Sequence, residues 1–224
     1  MGQDKAAHYN SQYQKQNYFG YREWLYDKYV ASLIDVCGLK PGATVLDVGC
    51  GQGFFSYIFS KHGMVVHGID ISEVGVQMAQ NTYGHVGISF STADIEANTF
   101  LQQFDCVFVR GLSLYNRPDF SENVEVTKSL LRLVKPSGVL MFLYYSNCSS
   151  KRSDSWRYHS WSDLQGHFKQ FPGAKFYFSF KIDAFLFGRY AFTKLCTQVN
   201  MLVSKVIRKG GDLICLVNKP PAGT

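Results

Sequence analysis

Short apolar segments alternate with helical segments along most of the chain. Five segments of strand length are rich in Val, Ile, Leu and Phe: 43–49, 64–70, 86–94, 104–111 and 139–146. Helical patterns follow most of them, and a helix that joins two strands of one sheet makes those strands parallel. The alternation therefore predicts an α/β fold with a doubly wound, mostly parallel sheet.

The last third of the chain departs from this alternation. A short helix is predicted over 160–171, capped by Ser160 or Ser162, and two further strands over 174–182 and 212–219. Between these strands a helical insertion, 183–210, repeats apolar residues at helical spacing: Phe192, Leu195, Val199, Leu202, Val203 and Val206. We expect this amphipathic helix to pack its apolar face on the sheet. A substrate lid, a dimer contact or a membrane-surface helix remain alternatives, the last because Lys194, Lys205, Arg208 and Lys209 accompany the apolar residues.

Length and composition indicate one globular domain over residues 1–224. Hydrophobic residues make up 46% of the chain and charged residues 18%, which excludes a disordered protein. No apolar run approaches the roughly 18 residues needed to span a bilayer, and the first residues are not signal-like. The six cysteines are scattered without a CxxC pair, so we expect reduced thiols in a cytoplasmic protein.

The net charge of +6 is concentrated toward the C-terminus. Residues 151–211 hold eleven Lys and Arg against three Asp, a local charge of +8, whereas the remaining residues sum to −2. Such a segment suits an acidic substrate, a nucleic acid or an anionic membrane surface. A solvated basic face explains it equally well.

A glycine-rich loop follows the first predicted strand in VLDVGCGQGFFS, residues 45–56. A dinucleotide-binding loop has a third glycine where this chain has Phe54, and a P-loop has a Gly-Lys-Ser/Thr that is absent here. Asp47 would also repel a pyrophosphate at the following helix N-terminus. The sequence therefore argues against a phosphate-binding loop.

A compact zwitterion that carries an additional positive charge suits this loop better. An ammonium or sulfonium would offset the cost of burying Asp47. Gly49, Gly51 and Gly53 would let the backbone approach the ligand closely. The helix that follows could hold the ligand's carboxylate through its first backbone N–H groups. An amino acid with a sulfonium meets all three requirements.

VLDVGCGQG resembles the first motif of the class I S-adenosylmethionine-dependent methyltransferases, and later blocks agree in order and spacing over about residues 40–146. The resemblance implies a Rossmann-like, mixed seven-stranded sheet with an antiparallel last strand. It also implies S-adenosyl-L-methionine as cofactor and S-adenosyl-L-homocysteine as product. The expected activity is methyl transfer to an oxygen or nitrogen of a small molecule.

The resemblance also implies which residues bind the cofactor. Asp70 takes the place of the acidic residue that binds both ribose hydroxyls, Asp94 that of the residue that reads the adenine amino group, and Arg110 lies beside the methionine part. The full expected set is Asp47, Gly49, Cys50, Gly51, Gly53, Phe54, Asp70, Ile71, Ser72, Asp94, Ile95, Arg110 and Gly111. Asp70 and Asp94 could instead cap helices, and Arg110 could form a loop salt bridge.

The methyl acceptor is less constrained by the sequence. The chain lacks the Asn-Pro-Pro-Tyr-like tetrapeptide of adenine-N6 and glutamine methyltransferases and the Pro-Cys of cytosine-C5 enzymes, and it has no acidic cluster for a metal. We expect a sugar or another anionic metabolite and no metal. The alternatives are an RNA or protein methyltransferase, a non-catalytic cofactor-binding partner subunit, and an aminopropyl transferase. A strong nucleic-acid signature is absent, and a homodimer stays open.

Aromatic and basic residues near both ends of the predicted sheet provide candidate substrate contacts. In this family an aromatic N-terminal segment, here residues 1–35, often closes the pocket, and the loop after the fifth strand covers the methyl group. The expected substrate contacts are Tyr13, Tyr18, Phe19, Arg22, Tyr115, Asn116 and Arg157. His159 is the first candidate for a general base and Tyr158 the second. His159 could instead only begin the following helix.

Overall fold

A seven-stranded sheet confirms the predicted α/β fold. The computed structural model describes residues 2–14, 20–97, 102–117, 120–147, 156–180, 183 and 188–223. Its strands are β1 Thr44–Val48, β2 Val65–Asp70, β3 Ser89–Thr92, β4 Phe104–Arg110, β5 Val134–Ser146, β6 Ala174–Ser179 and β7 Gly211–Asn218. They are arranged in the order β3-β2-β1-β4-β5-β7-β6. Strand β7 is antiparallel to β5 and β6, and the pairs among the first five strands are parallel.

The described helices are α1 Gly2–Tyr13, α2 Glu23–Cys37, α3 Phe54–Lys61, α4 Glu73–Tyr83, α5 Val124–Arg132, α6 Trp161–Phe168 and α7 Lys194–Ile207. Helices α1 and α2 occupy the aromatic N-terminal segment. Helix α6 begins at Ser160, one of the two predicted caps, whose side chain accepts from the backbone of Asp163 in a reciprocal capping box.

The core lies on both faces of the sheet, as a doubly wound fold requires. Alternation along β1 sends Leu46 and Val48 to the face covered by α5 and α6, and Val45 to the face covered by α2 and α3. Because both faces of β1 and β4 are buried, these strands have nearly continuous apolar sequences. The polar side chains near the carboxyl ends of these strands are therefore exceptions in otherwise apolar surroundings.

Helix α7 packs with the opposite face from the one that the sequence predicts. Phe192 lies against the core and Val203 is half-buried. The rest of the predicted core face is exposed: Leu195, Val199, Leu202 and Val206. The buried face of α7 instead carries the polar residues Thr197, Asn200 and Ser204. The expectation that this helix buries its apolar stripe on the sheet is therefore wrong.

The edge of the sheet explains this inversion. Strand β6 is an edge strand, whose outer backbone groups need hydrogen-bond partners. The Thr197 hydroxyl accepts from the Phe178 N–H at 3.3 Å, and the Asn200 amide donates to the Phe178 carbonyl at 3.2 Å. The same amide donates to the buried Asp183 carboxyl at 2.8 Å. The polar face of α7 thus completes the hydrogen bonding of β6, which an apolar face could not do.

Substitutions on the two faces of α7 test this orientation. We expect Asn200→Ala to lower the free energy of unfolding by about 1–3 kcal/mol, because it removes the amide that donates to the buried Asp183 carboxyl and to the Phe178 carbonyl. The matched exposed substitution Leu202→Ala is expected to change it by no more than about 0.5 kcal/mol. Urea unfolding measures both. A loss of about 2–5 kcal/mol for Leu202→Ala would instead mean that the apolar face is buried.

Candidate functional site

A cavity of about 830 Å³ runs along the carboxyl ends of β3, β2, β1, β4 and β5. The sheet reverses its order between β1 and β4, the place where open α/β sheets bind their ligands. Many of the residues expected to bind cofactor or substrate line this cavity: Tyr13, Asp47, Gly49, Cys50, Phe54, Asp70, Ile71, Asp94, Ile95, Arg110, Gly111 and Tyr158. This cavity, which we call the trough, therefore brings together residues that lie far apart in the sequence.

The glycine loop between β1 and α3 forms the floor of the trough. Gly51 has a φ of +52° and donates its N–H to the Asp70 carboxylate at 2.8 Å. A Cβ on Gly51 would lie 3.0 Å from the Tyr13 hydroxyl, so a larger residue would push α1 away from the loop. Gly53, with a φ of +81°, precedes the first turn of α3, where no side chain caps the helix. The loop therefore depends on its glycines, even where they lie behind the cavity wall.

Asp70 ends β2 and connects three parts of the site. Besides Gly51, it accepts the backbone N–H of Ser72 at 2.9 Å. Ser72 caps α4 by accepting from Gly75, and its hydroxyl donates to the Asn10 side chain of α1 at 2.6 Å. The cap of α4 is therefore Ser72. Two carboxylate oxygens offer about four acceptor positions, so Asp70 can still accept from ligand hydroxyl groups. Burial raises its pKa, which the backbone bonds partly offset.

Asp47 lies on β1 with its side chain buried at the cavity wall. Its carboxyl accepts from the Ser56 hydroxyl of α3 at 2.6 Å. Its pKa is raised to about 7, mainly by desolvation. The hydrogen bond from Ser56 lowers this pKa, and the charge of Asp70 raises it further. No basic side chain is among the causes of this shift. Its ionised form therefore favours a cationic group in the trough.

Asp94, Ile95 and Ile71 form the β3 end of the cavity. Asp94 accepts the backbone N–H of Glu96 at 2.9 Å and so also begins the short 3₁₀ turn Ile95–Ala97. The geometry thus allows Asp94 both to cap this turn and to bind a ligand.

Arg110 ends β4 and is partly buried among aromatic rings. Its guanidinium donates to the Tyr21 hydroxyl at 2.9 Å and to the Asp212 carboxylate at 3.3 Å. It lies 5.4 Å from the ring centre of Tyr21 and 5.5 Å from that of Tyr26. Arg110 therefore lines the cavity and forms a salt bridge as well, but much of its charge is already neutralised by Asp212.

The N-terminal helices form the roof. Helix α1 contributes His8, Tyr9 and Tyr13, and the segment that leads into α2 contributes Tyr21. Of the other substrate residues expected in this segment, Arg22 is exposed and is not among the lining residues, while Tyr18 and Phe19 lie outside the described residues.

Four residues expected at the substrate site instead brace the two loops that flank it. Asn116 accepts the Arg157 N–H at 2.5 Å, and His159 bonds the Tyr115 carbonyl at 2.8 Å. The Tyr115 ring is buried, with its hydroxyl hydrogen-bonded to Thr127. The structure therefore brings Tyr115, Asn116, Arg157 and His159 together, but none is among the lining residues. They connect the loop after β4 to the loop after β5.

His159 does not have the surroundings of a general base. Its side chain is 1% exposed, and a carbonyl acceptor requires that the bonded Nε2 carries the proton. Desolvation lowers its pKa, so the ring is neutral at pH 7. Of the two predicted bases, only Tyr158 reaches the cavity. Among the described residues, no group of three or more His, Cys, Asp or Glu could hold a metal ion.

Sequence reasoning missed several aromatic residues of the site. Tyr145 lies near the end of β5, while Trp156 stacks on Tyr144 and donates its indole N–H to the Tyr145 carbonyl at 3.0 Å. Tyr145, Trp156 and Tyr26 all line the cavity. Tyr145 could have been found because it lies near the carboxyl end of a buried strand, at the same edge as Asp47 and Asp70. Trp156 lies in the loop that is expected to cover the methyl group, directly before Arg157, but it is not among the expected substrate contacts.

Comparison with known proteins gives a consistent result. A family model described as a methyltransferase domain matches residues 39–177, more than half of the chain. The ubiquinone biosynthesis O-methyltransferase of Coxiella burnetii is 38% identical over 104 residues, which are 45% of this chain and 43% of that protein. The 2-methyl-6-phytyl-1,4-hydroquinone methyltransferase of Synechocystis is 41% identical over 106 residues, 46% of this chain and 32% of that protein. The match thus spans less than half of each relative.

A solved structure extends the likeness over nearly the whole chain. The DhpI–SAH complex aligns with a TM-score of 0.65 and 16% identity, covering 98% of this chain and 97% of that one. At this identity the likeness shows the fold and not the substrate.

Replacing Asp47 tests the cost of its buried charge in the ligand-free protein. Asp47 ionises near pH 3.9 in the unfolded chain, but only near pH 7 in the folded protein. Between these values the folded state keeps a proton that the unfolded state has lost, so stability falls as the pH rises through this window. We expect Asp47→Asn to raise the free energy of unfolding by about 1–3 kcal/mol at pH 8, and by less at pH 5.

Urea unfolding of the ligand-free protein at both pH values measures this difference. Asp35→Asn, at an exposed position of α2, is the matched control and should change the free energy of unfolding by no more than about 0.5 kcal/mol. An Asp47→Asn protein that is less stable than the wild type at pH 8 would contradict the buried-charge interpretation.

Proposed function

This chain belongs to the class I methyltransferase family, and from that membership we propose that it transfers the methyl group of S-adenosylmethionine to an oxygen of a small molecule. The observation that carries the proposal is the trough across five strand ends. Asp94, Asp70 and Asp47 follow one another along it in the order β3, β2, β1. Their acceptor groups suit an adenine amino group, ribose hydroxyls and a cationic amino acid in that order.

The donor would lie with its adenosine toward β3 and its methionine part toward β4. Asp70 would accept from the ribose hydroxyls, which replace the water lost on its burial. Asp47 would face the positive charge of the methionine part and so would ionise more readily with the donor bound than without it. Ile71 and Ile95 would enclose the adenine ring.

The transfer itself is an in-line displacement at the methyl carbon. An acceptor oxygen forms the new bond to this carbon while the bond to sulfur breaks, and the acceptor loses its proton to water or a base. Bound S-adenosylmethionine supplies the reactive sulfonium. The protein aligns the two reactants and excludes water, which the aromatic roof of Tyr9, Tyr13 and Tyr21 favours.

The described lining at the β5 end favours a neutral aromatic acceptor. Tyr145, Trp156 and Tyr158 are at this end, and Arg110, the one Lys or Arg among the described lining residues, is paired with Asp212. The trough also carries several carboxyl groups, which disfavour an anion. The expected sugar or anionic metabolite is therefore less well supported than a phenol or quinol. The relatives named for ubiquinone biosynthesis and for a hydroquinone support the same acceptor class.

Binding of the cofactor is the first test. We expect S-adenosylmethionine and S-adenosylhomocysteine each to raise the melting temperature, because a ligand that binds only the folded state stabilises it. Asp70→Asn is expected to weaken the affinity at least about tenfold, since charge-assisted bonds to the ribose are lost. Isothermal titration calorimetry measures the affinity.

Glu73→Gln, at an exposed position in the first turn of α4, is the matched control and should bind as the wild type does. Because Asp70 also braces Gly51 and Ser72, circular dichroism and urea unfolding must show that the variant is folded. Absence of any melting shift in the wild type would contradict the proposed cofactor site.

Turnover on a panel of acceptors is the second test. We expect methyl transfer to phenols and quinols above transfer to sugars, anionic metabolites, RNA or protein. Tyr158→Ala should raise the acceptor KM about two- to tenfold through lost aromatic contact, with the cofactor affinity unchanged. Trp24→Ala, half exposed and not among the lining residues, is the control.

The remaining outcomes identify the alternatives. Transfer to RNA or protein but to no phenol would identify a macromolecular acceptor. Cofactor binding without turnover on any acceptor would favour a non-catalytic partner subunit. Stronger binding of decarboxylated S-adenosylmethionine would favour an aminopropyl transferase.

A further inference from the structure

The exposed side of α7 carries an apolar stripe. Leu195, Val199, Leu202 and Val206 follow each other at spacings of four, three and four residues, so they share one helix face. Their exposures range from 50% at Val199 to 74% at Val206. The stripe is about 16 Å long, at 1.5 Å per residue. Such a continuous apolar surface on a polar background marks an interaction site.

The helix cannot bury this stripe by turning on its own axis. Rotation would break the bonds of Thr197 and Asn200 to the backbone of β6 and leave Asp183 without the Asn200 amide. Each of these groups is buried, so each lost bond would cost free energy. The stripe therefore faces outward in the folded protein.

The charged residues of α7 and of the segments that flank it are all positive. From residue 189 to residue 211 the chain has five Lys and Arg and no Asp or Glu. Lys194 and Lys205 are eleven residues apart, on one flank of the stripe, and both are exposed. Arg208 and Lys209 follow the last turn and are also exposed. An apolar stripe with a basic flank is complementary to an apolar surface that bears negative charge.

A second copy of the chain matches this surface less well. If two copies packed stripe against stripe with their helices antiparallel, Lys194 and Lys205 of one copy would approach the same lysines of the other. Residues 189–211 offer no carboxylate to neutralise them. Like charges that meet at an interface oppose association.

We propose that α7 docks the protein on an anionic lipid bilayer. Leu195, Val199, Leu202 and Val206 enter the boundary between headgroups and acyl chains, and Lys194 and Lys205 contact lipid phosphates. The helix lies along the surface and does not cross it. In the described part of the chain, no helix combines the length and the apolar character needed to span a bilayer.

This docking brings to the lipid surface the C-terminal end of α7, which is followed by a residue that contacts the cavity wall. Gly210, three residues beyond the end of α7, packs so closely on β5 that a Cβ there would lie 2.7 Å from the Tyr145 hydroxyl. Tyr145 lines the acceptor end of the cavity. A lipophilic phenol or quinol would then reach the site from the bilayer. This last consequence rests on the proposed function, whereas the docking itself does not.

Sedimentation of the full chain with vesicles tests the proposal in the absence of any cofactor or acceptor. We expect binding to vesicles of phosphatidylcholine mixed with phosphatidylglycerol, and weaker binding to phosphatidylcholine alone. The double substitution Leu195→Gln with Leu202→Gln should lower the partition coefficient at least about tenfold. Lys194→Gln with Lys205→Gln should lower it about tenfold on the mixed vesicles, and added salt should have the same effect.

Val65→Gln with Val86→Gln is the matched control. These valines are also exposed, but they lie by β2 and β3 at the far end of the sheet, and binding should be unchanged. Circular dichroism shows that each variant is folded. Absence of wild-type binding to the mixed vesicles, or equal binding by the leucine variant, would overturn the proposal. A concentration-dependent dimer without vesicle binding, lost in the leucine variant, would assign the stripe to a second copy instead.

Discussion

The arrangement of the site depends on the hydrogen bonds that the Asp70 carboxylate accepts. It accepts the backbone N–H groups of Gly51 and Ser72, and so joins the loop after β1 to the start of α4. Through Ser72 and Asn10 the same network attaches α1, which covers the trough. A single strand-end carboxylate thus positions the floor and the roof together. Burial is costly for a carboxylate and raises the pKa of Asp70, and these bonds partly offset that cost.

The buried carboxylates of the site therefore favour a cationic ligand but lower the stability of the ligand-free protein. A desolvated Asp47 beside Asp70 raises the free energy of the ligand-free protein, and the pKa of about 7 expresses that cost. A cationic ligand with hydroxyl groups supplies the charge and the donors that the fold leaves out. Unfavourable electrostatics retained at strand ends are characteristic of binding sites, since selection for stability alone would replace such groups.

The residues predicted best are those whose position follows from local periodicity. Asp47, Asp70 and Asp94 each lie within two residues of the carboxyl end of a strand, and parallel strands bring these ends to one edge. His159 and Asn116 lie in irregular loops after β5 and β4, where sequence position does not determine direction. The structure uses them to join the two loops, whereas Trp156, in the same loop as His159, lines the cavity.

By itself, the sequence determined the alternation of strands and helices, the class of the fold and the carboxylates at the edge of the sheet that lines the cavity. These follow from short-range patterns, since helix and strand periods are properties of neighbouring residues. The tertiary structure alone decided which face of α7 is buried. The apolar period of this helix identifies Leu195, Val199, Leu202 and Val206 as one face, but it cannot tell whether that face lies inside. The unpaired backbone of β6 needed polar partners, and this requirement turned Thr197 and Asn200 inward and the apolar stripe outward.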